Sequence, residues 1–593
     1  MSASKTVVVI GGGHAGVEAA LAAKRAGASA VLVTAEPDAI SLMPCNPALG
    51  GVAKGTLIRE IDALGGAMAA GADETSLQFR MLNMRKGPAV WGPRVQADSL
   101  CYPLFMRKML DRSGIRIVKG LVVALRGGPD FFTGAELSDG GIVPGDAFVL
   151  ATGTYLGGVL FMGGEKWPGG RYGGLSSRLL DSYLKTMFHV ERFKTGTSPR
   201  VVTGTIRTDA LEIQDDHDVR YRFSLDSKEG VRSLKKCHLA RTNRRTAEAV
   251  RENAGRSPLI GKRIGGVGPR YCPSFEDKVM KFPERHSHPI HIEPVSETSR
   301  LSYINGLSTS MPQDVQYRML RSIDGFEKAE IAAFGYAVEY SRLAWGEFGA
   351  TLMLRGTDNL FAAGQILGTS GYEEAGALGL LAGANAARVA LGFSAETPDR
   401  RSSYLGVMVD DLVAKGIDEP YRLFSSRAEN RLHLRQDNAH LRMNSLGVKL
   451  GVLRGTRLSG VQRFEEQYEK AGLLLSEPLL NSLCRRPEIT RECLEARCSA
   501  LRELDEEAVQ AAIIHEKYKG YVRRQDRRYL AARQHWNRPV PAGFRKSGIS
   551  FEAVQAIEAG NPETLEEAFG LPGVKAADME VLTIYAMAQG CST

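Results

Sequence analysis

The most regular pattern of apolar and polar positions lies at the start of the chain, Thr6 to Ala20, TVVVIGGGHAGVEAA. Val7 to Ile10 form an unbroken β-branched run, as in a strand buried on both faces. From Val17 the pattern turns helical, VEAALAAKRAG, with Gly27 at the C-cap position. A second apolar run, Ala30 to Val33, predicts a second strand. Residues 115–126, IRIVKGLVVALR, predict paired strands, and Phe148 to Gly158, FVLATGTYLGG, a buried strand. Asn359 to Ala363 predict another, followed by a small-residue helix from near Gly376. Between these segments, residues 205–340 read as an insertion with a basic, helix-like run, SLKKCHLARTNRRTAEAVREN. Beyond about residue 400, runs of Leu, Ala, Glu and Arg with few strand signals predict a helical domain, with residues 425–449 on a basic helical pattern.

The first strand runs into a glycine fingerprint. Gly11, Gly13 and Gly16 keep G-x-G-x-x-G spacing, with Gly12, His14 and Ala15 between them. The first glycine permits a tight turn, the second a close approach of backbone to a pyrophosphate, the third close packing of helix on strand. The helix N-terminus then presents free N–H groups to the phosphate charge. This points to a dinucleotide. An acid at the end of the second strand would hold the adenosine ribose; the candidate is Glu36, two or three positions late. Cys45 lies between Pro44 and Asn46-Pro47, in a turn before a helix beginning near Ala53. A thiol in such a turn tends toward a lowered pKa and could serve a flavin as a redox or nucleophilic group.

Composition narrows the field. A chain of 593 residues holds several domains, and 43% hydrophobic with 24% charged residues is ordinary for a globular protein. No apolar run reaches the ~18 residues of a membrane span. The strand beginning at Thr6 leaves no room for a leader, so a cytoplasmic location is expected. The eight cysteines contain no C-x-x-C pair, which argues against a disulfide framework or a zinc site. His286, His288 and His291 lie close together, but no ligand spacing completes them, so no metal is expected. A net charge of +9 fits a polyanionic partner only if it is clustered. It is clustered twice. Arg80, Arg85, Lys86 and Arg94 surround Trp91, and a run from Lys519 to Lys546 includes Arg523, Arg524, Arg527 and Arg528 with Tyr518, Tyr521, Tyr529 and Trp536 between the bases. Bases interleaved with aromatics suit nucleic acid.

With these pieces placed, the chain resembles the glucose-inhibited division protein A family, the flavin subunit of an enzyme that installs carboxymethylaminomethyl groups on tRNA wobble uridine. The resemblance rests on IGGGHAGVEAA, MPCNPALGGVAKGTLIREIDALGGAM, QFRMLNMRKGPAV, FKTGTSPR, GPRYCPSFEDKVMKF, NLFAAGQILGTSGYEEA, EPYRLFSSRAENRLHLRQDNAHLR and YKGYVRRQ, in family order from residue 5 to about 525. It implies FAD at Gly11 to Gly16, with Val123, Ser176 and Gln365 as further contacts. It implies a reduced nicotinamide (NADH) site over Gly268, Pro269, Arg270, Tyr271 and on to Phe282, and Cys45 and Cys272 as a functional cysteine pair. Methylenetetrahydrofolate and glycine or ammonium are implied co-substrates. A homodimer joined by a GTPase into a heterotetramer is the implied assembly. Arg427, Arg431 and Arg435 join the Arg523–Arg528 cluster as tRNA-binding candidates. The chain departs from the family at Trp91-Gly92 and at Arg241, and the match fades after about residue 526.

The implied fold class is α/β: a Rossmann-type, glutathione-reductase-like FAD-binding domain (1–204 and 341–395), an inserted, nicotinamide-related α/β domain (205–340), a helical domain (396–545) and a small all-α tRNA-binding tail (546–593). Three rival functions are set against it. A folate-dependent tRNA uridine methyltransferase shares the N-terminal motifs but lacks a long helical C-terminal half. A disulfide reductase needs a second cysteine close to Cys45. A non-enzymatic flavin-containing RNA-binding scaffold would tolerate loss of both cysteines.

Overall fold

The structure, a computed structural model, describes residues 5–214, 221–270, 273–486, 488–571 and 573–590. Its centre is a five-stranded parallel sheet. Strands β1 (Thr6–Ile10), β2 (Ser29–Thr34), β3 (Arg116–Lys119), β4 (Ala147–Leu150) and β5 (Leu360–Ala362) stand in the order β5-β4-β1-β2-β3. The order reverses beside β1, the topological switch point of a doubly wound fold. Val7, Val8 and Val9 are wholly buried, as their unbroken apolar run requires. Helix α1 (His14–Arg25) packs on the long helix Tyr372–Ala390 almost backbone to backbone. A Cβ added at Gly379 or Gly383 would stand 2.1 Å from Ala15 O or Ala19 O respectively. The small-residue run of that helix is therefore a packing requirement.

Among the described residues there are four further sheets. Ala48–Gly50, Gly92–Ala97 and Ser76–Leu82 form a three-stranded antiparallel sheet, and Val122–Gly127, Phe132–Leu137 and Ile142–Pro144 a meander. Glu165–Pro168, Val159–Met162, Ala337–Leu343 and Val190–Gly196 form a four-stranded sheet. The intervening chain builds a six-stranded antiparallel sheet with its own apolar core, from Arg200–Val202 through Ile331–Ala333. Helices dominate from Tyr404 to Gly590. Helix Lys54–Ala63 of the α/β part is tied to the helical part by charge: Arg59 pairs with Glu507 of helix Glu506–Arg533 (3.2 Å), and Asp62 meets His440 of helix Ala439–Leu450 (2.8 Å) and Arg457 of helix Gly455–Leu475 (2.6 Å).

Several local expectations are corrected. Residues 115–126 are not paired with one another: β3 joins the central sheet beside β2, and Val122–Gly127 crosses at Gly120-Leu121 to pair with Phe132–Leu137. Local alternation does not say which sheet edge a strand joins. The basic run at 233–253 is half strand, Cys237–Arg241, and the helix begins only at Arg244, behind a capping box between Asn243 and Thr246. The small-residue helix starts at Tyr372, not Gly376, because the buried Glu373 and Glu374 of its first turn meet Lys54 at 2.9 and 3.0 Å. In 425–449 the α-helix covers only Ala439–Leu450. Before it, side chains take over backbone partners: Asn438 donates to His433 O (2.9 Å) and Arg442 to Arg435 O (3.0 Å).

Candidate functional site

The glycine loop sits at the carboxyl end of β1. Gly11 has φ +116, donates to Val33 O at 2.8 Å, and leaves no room for a Cβ, which would meet Ala151 O at 2.3 Å. At Gly16 a Cβ would meet Gly11 O at 1.8 Å. Gly13 is different: no heavy atom lies within 4 Å of an added Cβ, and as N-cap of α1 it supplies no capping side chain. The first-turn N–H groups of α1 thus face an open cradle, the shape and polarity that a pyrophosphate needs. Gly12 is enclosed by Thr34 and Ile40, and Ala15 is buried under the helix. Thr152, just past β4, has a buried hydroxyl with no hydrogen-bond partner among the described residues, and so has Ser41, whose amide donates to Gly12 O at 2.9 Å. These unmet polar atoms beside the cradle fit a bound dinucleotide.

Of the other flavin-site candidates, Glu36 and Gln365 stand on segments that follow strands of this sheet, Ser176 is bonded to one, and Val123 stands in another sheet. Glu36 lies two residues past β2. Its Oε2 accepts from the Tyr155 hydroxyl (3.1 Å) and from Arg171 (3.2 Å). Gln365, three residues past β5, brings Oε1 within 3.5 Å of a Cβ position on Gly153, which follows β4. Ser176 donates to Gly158 O at 2.9 Å and so braces the loop after β4. Val123 is half-buried in the meander.

Cys45 is held from three directions. Its amide donates to the Tyr372 hydroxyl (3.1 Å), and its Sγ lies 3.2 Å from the Tyr303 hydroxyl and 3.9 Å from Gly196 O. Arg200 donates to Pro44 O (2.8 Å) and lies 5.6 Å above the Tyr303 ring. The strand Ala48–Gly50 separates this turn from the helix that begins at Lys54, so the thiol's surroundings are set by tyrosines and Arg200 instead of that helix's first turn. Tyr372 links thiol and glycine loop, because its ring stacks on His14 at 4.5 Å. Burial pushes the His14 imidazole down to about 4, against an opposing pull from Glu373, so the ring is neutral. The sequence reading missed Tyr303, Tyr372 and the buried Tyr336, whose hydroxyl accepts from the Tyr172 amide (3.2 Å) and lies in reach of the Cys45 charge. Tyr372 stood inside a motif already singled out, whereas nothing local marked the other two.

The second cysteine, Cys272, and Tyr271 lie outside the described residues. Of their neighbours, Gly268 packs on the buried Lys194, whose Cε would lie 2.3 Å from an added Cβ. Pro269 is buried, Arg270 pairs with Glu419 (3.2 Å) and Glu552 (3.1 Å), and Phe282 is half exposed after the helix Phe275–Lys281. His286 is exposed, His288 packs edge-on against Phe275, and His291 bonds Gln214 at 3.0 Å.

Among the arginines expected to meet RNA, Arg523, Arg524, Arg527 and Arg528 are all exposed on one helix, and Arg431 is exposed nearby. Arg427 is half-buried over the Tyr421 ring at 4.4 Å. Arg435 departs from the expectation. Its guanidinium is buried, pairs with Asp437 at 2.9 Å and donates to Leu432 O at 3.1 Å. A cation so enclosed braces the fold and presents nothing to a polyanion.

Sheet order, glycine loop and cradle define a Rossmann-type dinucleotide-binding protein with a large sheet insertion and a helical C-terminal part. Residues 6–394 match the model of the family "Glucose inhibited division protein A", and residues 443–526 that of the "tRNA modifying enzyme MnmG/GidA C-terminal helical domain". A curated relative from Nitratiruptor, named tRNA uridine 5-carboxymethylaminomethyl modification enzyme MnmG, is 38% identical, covering 98% of both chains. One of the same name from Chlamydia trachomatis is 39% identical, covering 98% of this chain and 97% of its own. The solved structure of Aquifex aeolicus GidA superposes with a TM-score of 0.85 at 38% identity, covering 98% of this chain and 100% of that one. The chain belongs to the glucose-inhibited division protein A family.

Proposed function

We propose that the chain is an FAD-dependent enzyme that adds a carboxymethylaminomethyl or aminomethyl group to C5 of a tRNA wobble uridine. The observation that carries this reading is the joining of a dinucleotide cradle to a held thiol through one ring, Tyr372, in a chain whose full-length relatives are named for that modification. FAD in the cradle would supply hydride-transfer chemistry. The α1 N-terminus and Gly13 would take its pyrophosphate, Glu36 its ribose, and Thr152 and Gln365 its polar remainder. Uracil C5 is a poor nucleophile until a thiolate adds at C6. Cys45, or Cys272 beside it in role, would make that addition and leave as thiolate when the product forms. The second thiol would handle proton transfer or guard the site.

NADH over residues 268–282, methylenetetrahydrofolate with glycine or ammonium, a homodimer joined by a GTPase, and cytoplasmic location complete the proposal. Among the described residues no helix is long and apolar enough to cross a membrane. The exposed arginine face of helix Glu506–Arg533, with Arg431 and Arg427, would receive the tRNA backbone. The test is nucleoside analysis of tRNA from cells lacking this chain. Loss of the modified wobble uridine is expected, and an unchanged profile refutes the reading. A Cys272→Ser protein should still bind FAD but no longer modify tRNA; full activity would remove Cys272 from the reaction.

A further inference from the structure

The strongest unassigned feature is the hydrogen-bond chain that ends on Cys45. The Ser198 amide donates to the Tyr303 hydroxyl oxygen at 3.0 Å, which turns that oxygen's lone-pair side toward the amide. The hydroxyl proton is then free for the Cys45 sulfur, 3.2 Å away. A protonated thiol has its own acceptor in Gly196 O at 3.9 Å. Once the sulfur is a thiolate only the phenol can donate, so in the charged form the order runs from amide to phenol to sulfur. Tyr303 is 2% exposed, so water does not compete for its proton. Its backbone is fixed between two neighbours, Arg200 on one strand and Glu293 on the other. The phenol thus presents a preformed donor at one point in space.

We propose that Tyr303 is a positioning residue that holds the Cys45 sulfur as a thiolate and aims it. The inference rests on reading Cys45 as a working thiol. A phenol donating to a thiolate makes a charge-assisted hydrogen bond, stronger than one to the neutral thiol, so it favours the charged form. Among the described residues, three other groups from the packed elements share the neighbourhood: Arg200, which favours the thiolate, and the neutral phenols Tyr336 and Tyr372. Tyr336 and Tyr372 each use their hydroxyl oxygen to accept an amide, from Tyr172 (3.2 Å) and Cys45 (3.1 Å). Tyr303 alone of the three places its hydroxyl within 3.2 Å of Sγ. Burial, then the charge of Cys45, pushes the Tyr303 phenol well above its ordinary range, so it remains a donor wherever the thiol titrates.

The test is alkylation of the FAD-loaded protein with iodoacetamide across pH, read at the Cys45 peptide by mass spectrometry. Cys101, exposed on the surface, is the internal reference. Tyr303→Phe should raise the Cys45 midpoint by about one pH unit and slow its alkylation near pH 7 about tenfold, with the Cys101 profile unchanged. An unmoved Cys45 midpoint overturns the proposal. If Tyr303→Phe fails to fold, 3-fluorotyrosine at position 303 keeps the shape and sharpens the donor: the midpoint should fall, and no shift overturns the proposal equally. Alkylation does not require turnover. A Cys45→Ser protein that still modifies tRNA would remove Cys45 from the reaction while leaving the Tyr303 result standing.

Discussion

Two glycines three residues apart in the same fingerprint, Gly13 at the N-cap of α1 and Gly16 in its first turn, should fail in opposite ways. A Cβ at Gly16 would stand 1.8 Å from Gly11 O. A close carbon–oxygen contact needs roughly 3.3 Å, so helix and strand must part by about 1.5 Å. The obstacle is backbone, which cannot turn aside. Overpacking of interiors costs about 1–3 kcal/mol, and Gly16→Ala belongs at the upper end. For a unit of this size each kcal/mol is about 2–4 °C, so its melting temperature should fall by about 6–12 °C. At Gly13 an added Cβ meets nothing within 4 Å, and φ is −75, open to any residue. Gly13→Ala should cost the ligand-free protein no more than about 1 kcal/mol, the scale of a cap change. That Cβ enters the cradle instead. Loss of charged hydrogen bonds worth about 1.5–3 kcal/mol weakens FAD binding roughly ten- to a hundredfold. Circular-dichroism melting of the ligand-free proteins and flavin-fluorescence titration separate the effects. Equal melting losses, or wild-type FAD affinity in Gly13→Ala, would refute the division of labour between the two glycines.

Other outcomes follow from buried charge and the exposed arginine face. Burial holds His14 neutral, lowering it from 6.5 to about 4, so its share of stability is intact above pH 6.5 and is lost as pH falls from 6.5 through 4, about 3 kcal/mol in all. Urea unfolding at pH 7.5 and 4.5 should show a smaller drop for His14→Gln than for wild type. Burial alone would raise the Asp62 carboxyl, but Arg457 and His440 outweigh it and hold it below its ordinary value. Asp62→Asn should therefore cost about 3–5 kcal/mol at pH 7, with the deficit shrinking only below about pH 4, as followed by thermal melts over pH. Replacing Arg523, Arg524, Arg527 and Arg528 by Gln should weaken tRNA binding and flatten its log–log salt dependence by about 3, measured by filter binding. Arg435→Ala should instead destabilise the helical part by about 3–5 kcal/mol, because it leaves Asp437 buried without its partner.

The sequence by itself determined the elements whose cause is local. The β-branched run Val7 to Ile10 suits a doubly buried strand and forms one, the glycine spacing predicts a tight turn into a helix, and composition beyond residue 400 predicts helices. The quoted motifs also carried the family. Local pattern did not decide the partners. The run at 115–126 held two strands but not the two sheets they join, because a strand edge is chosen by what else is present to pair with it. Arg435 and Arg431 stand four apart in one basic motif, yet one is buried on Asp437 and the other is exposed, a difference made by neighbouring chain. The thiol shows the same limit. Cys45 was visible as a cysteine in a turn, but Tyr303 lies 258 residues away and Tyr372 lies 327 away. Hydrogen bonds act over about 3 Å whatever the separation along the chain. Only the folded arrangement, with α1 pressed against the small-residue helix and the six-stranded sheet against the turn, could bring phenol, thiol and glycine loop to one place.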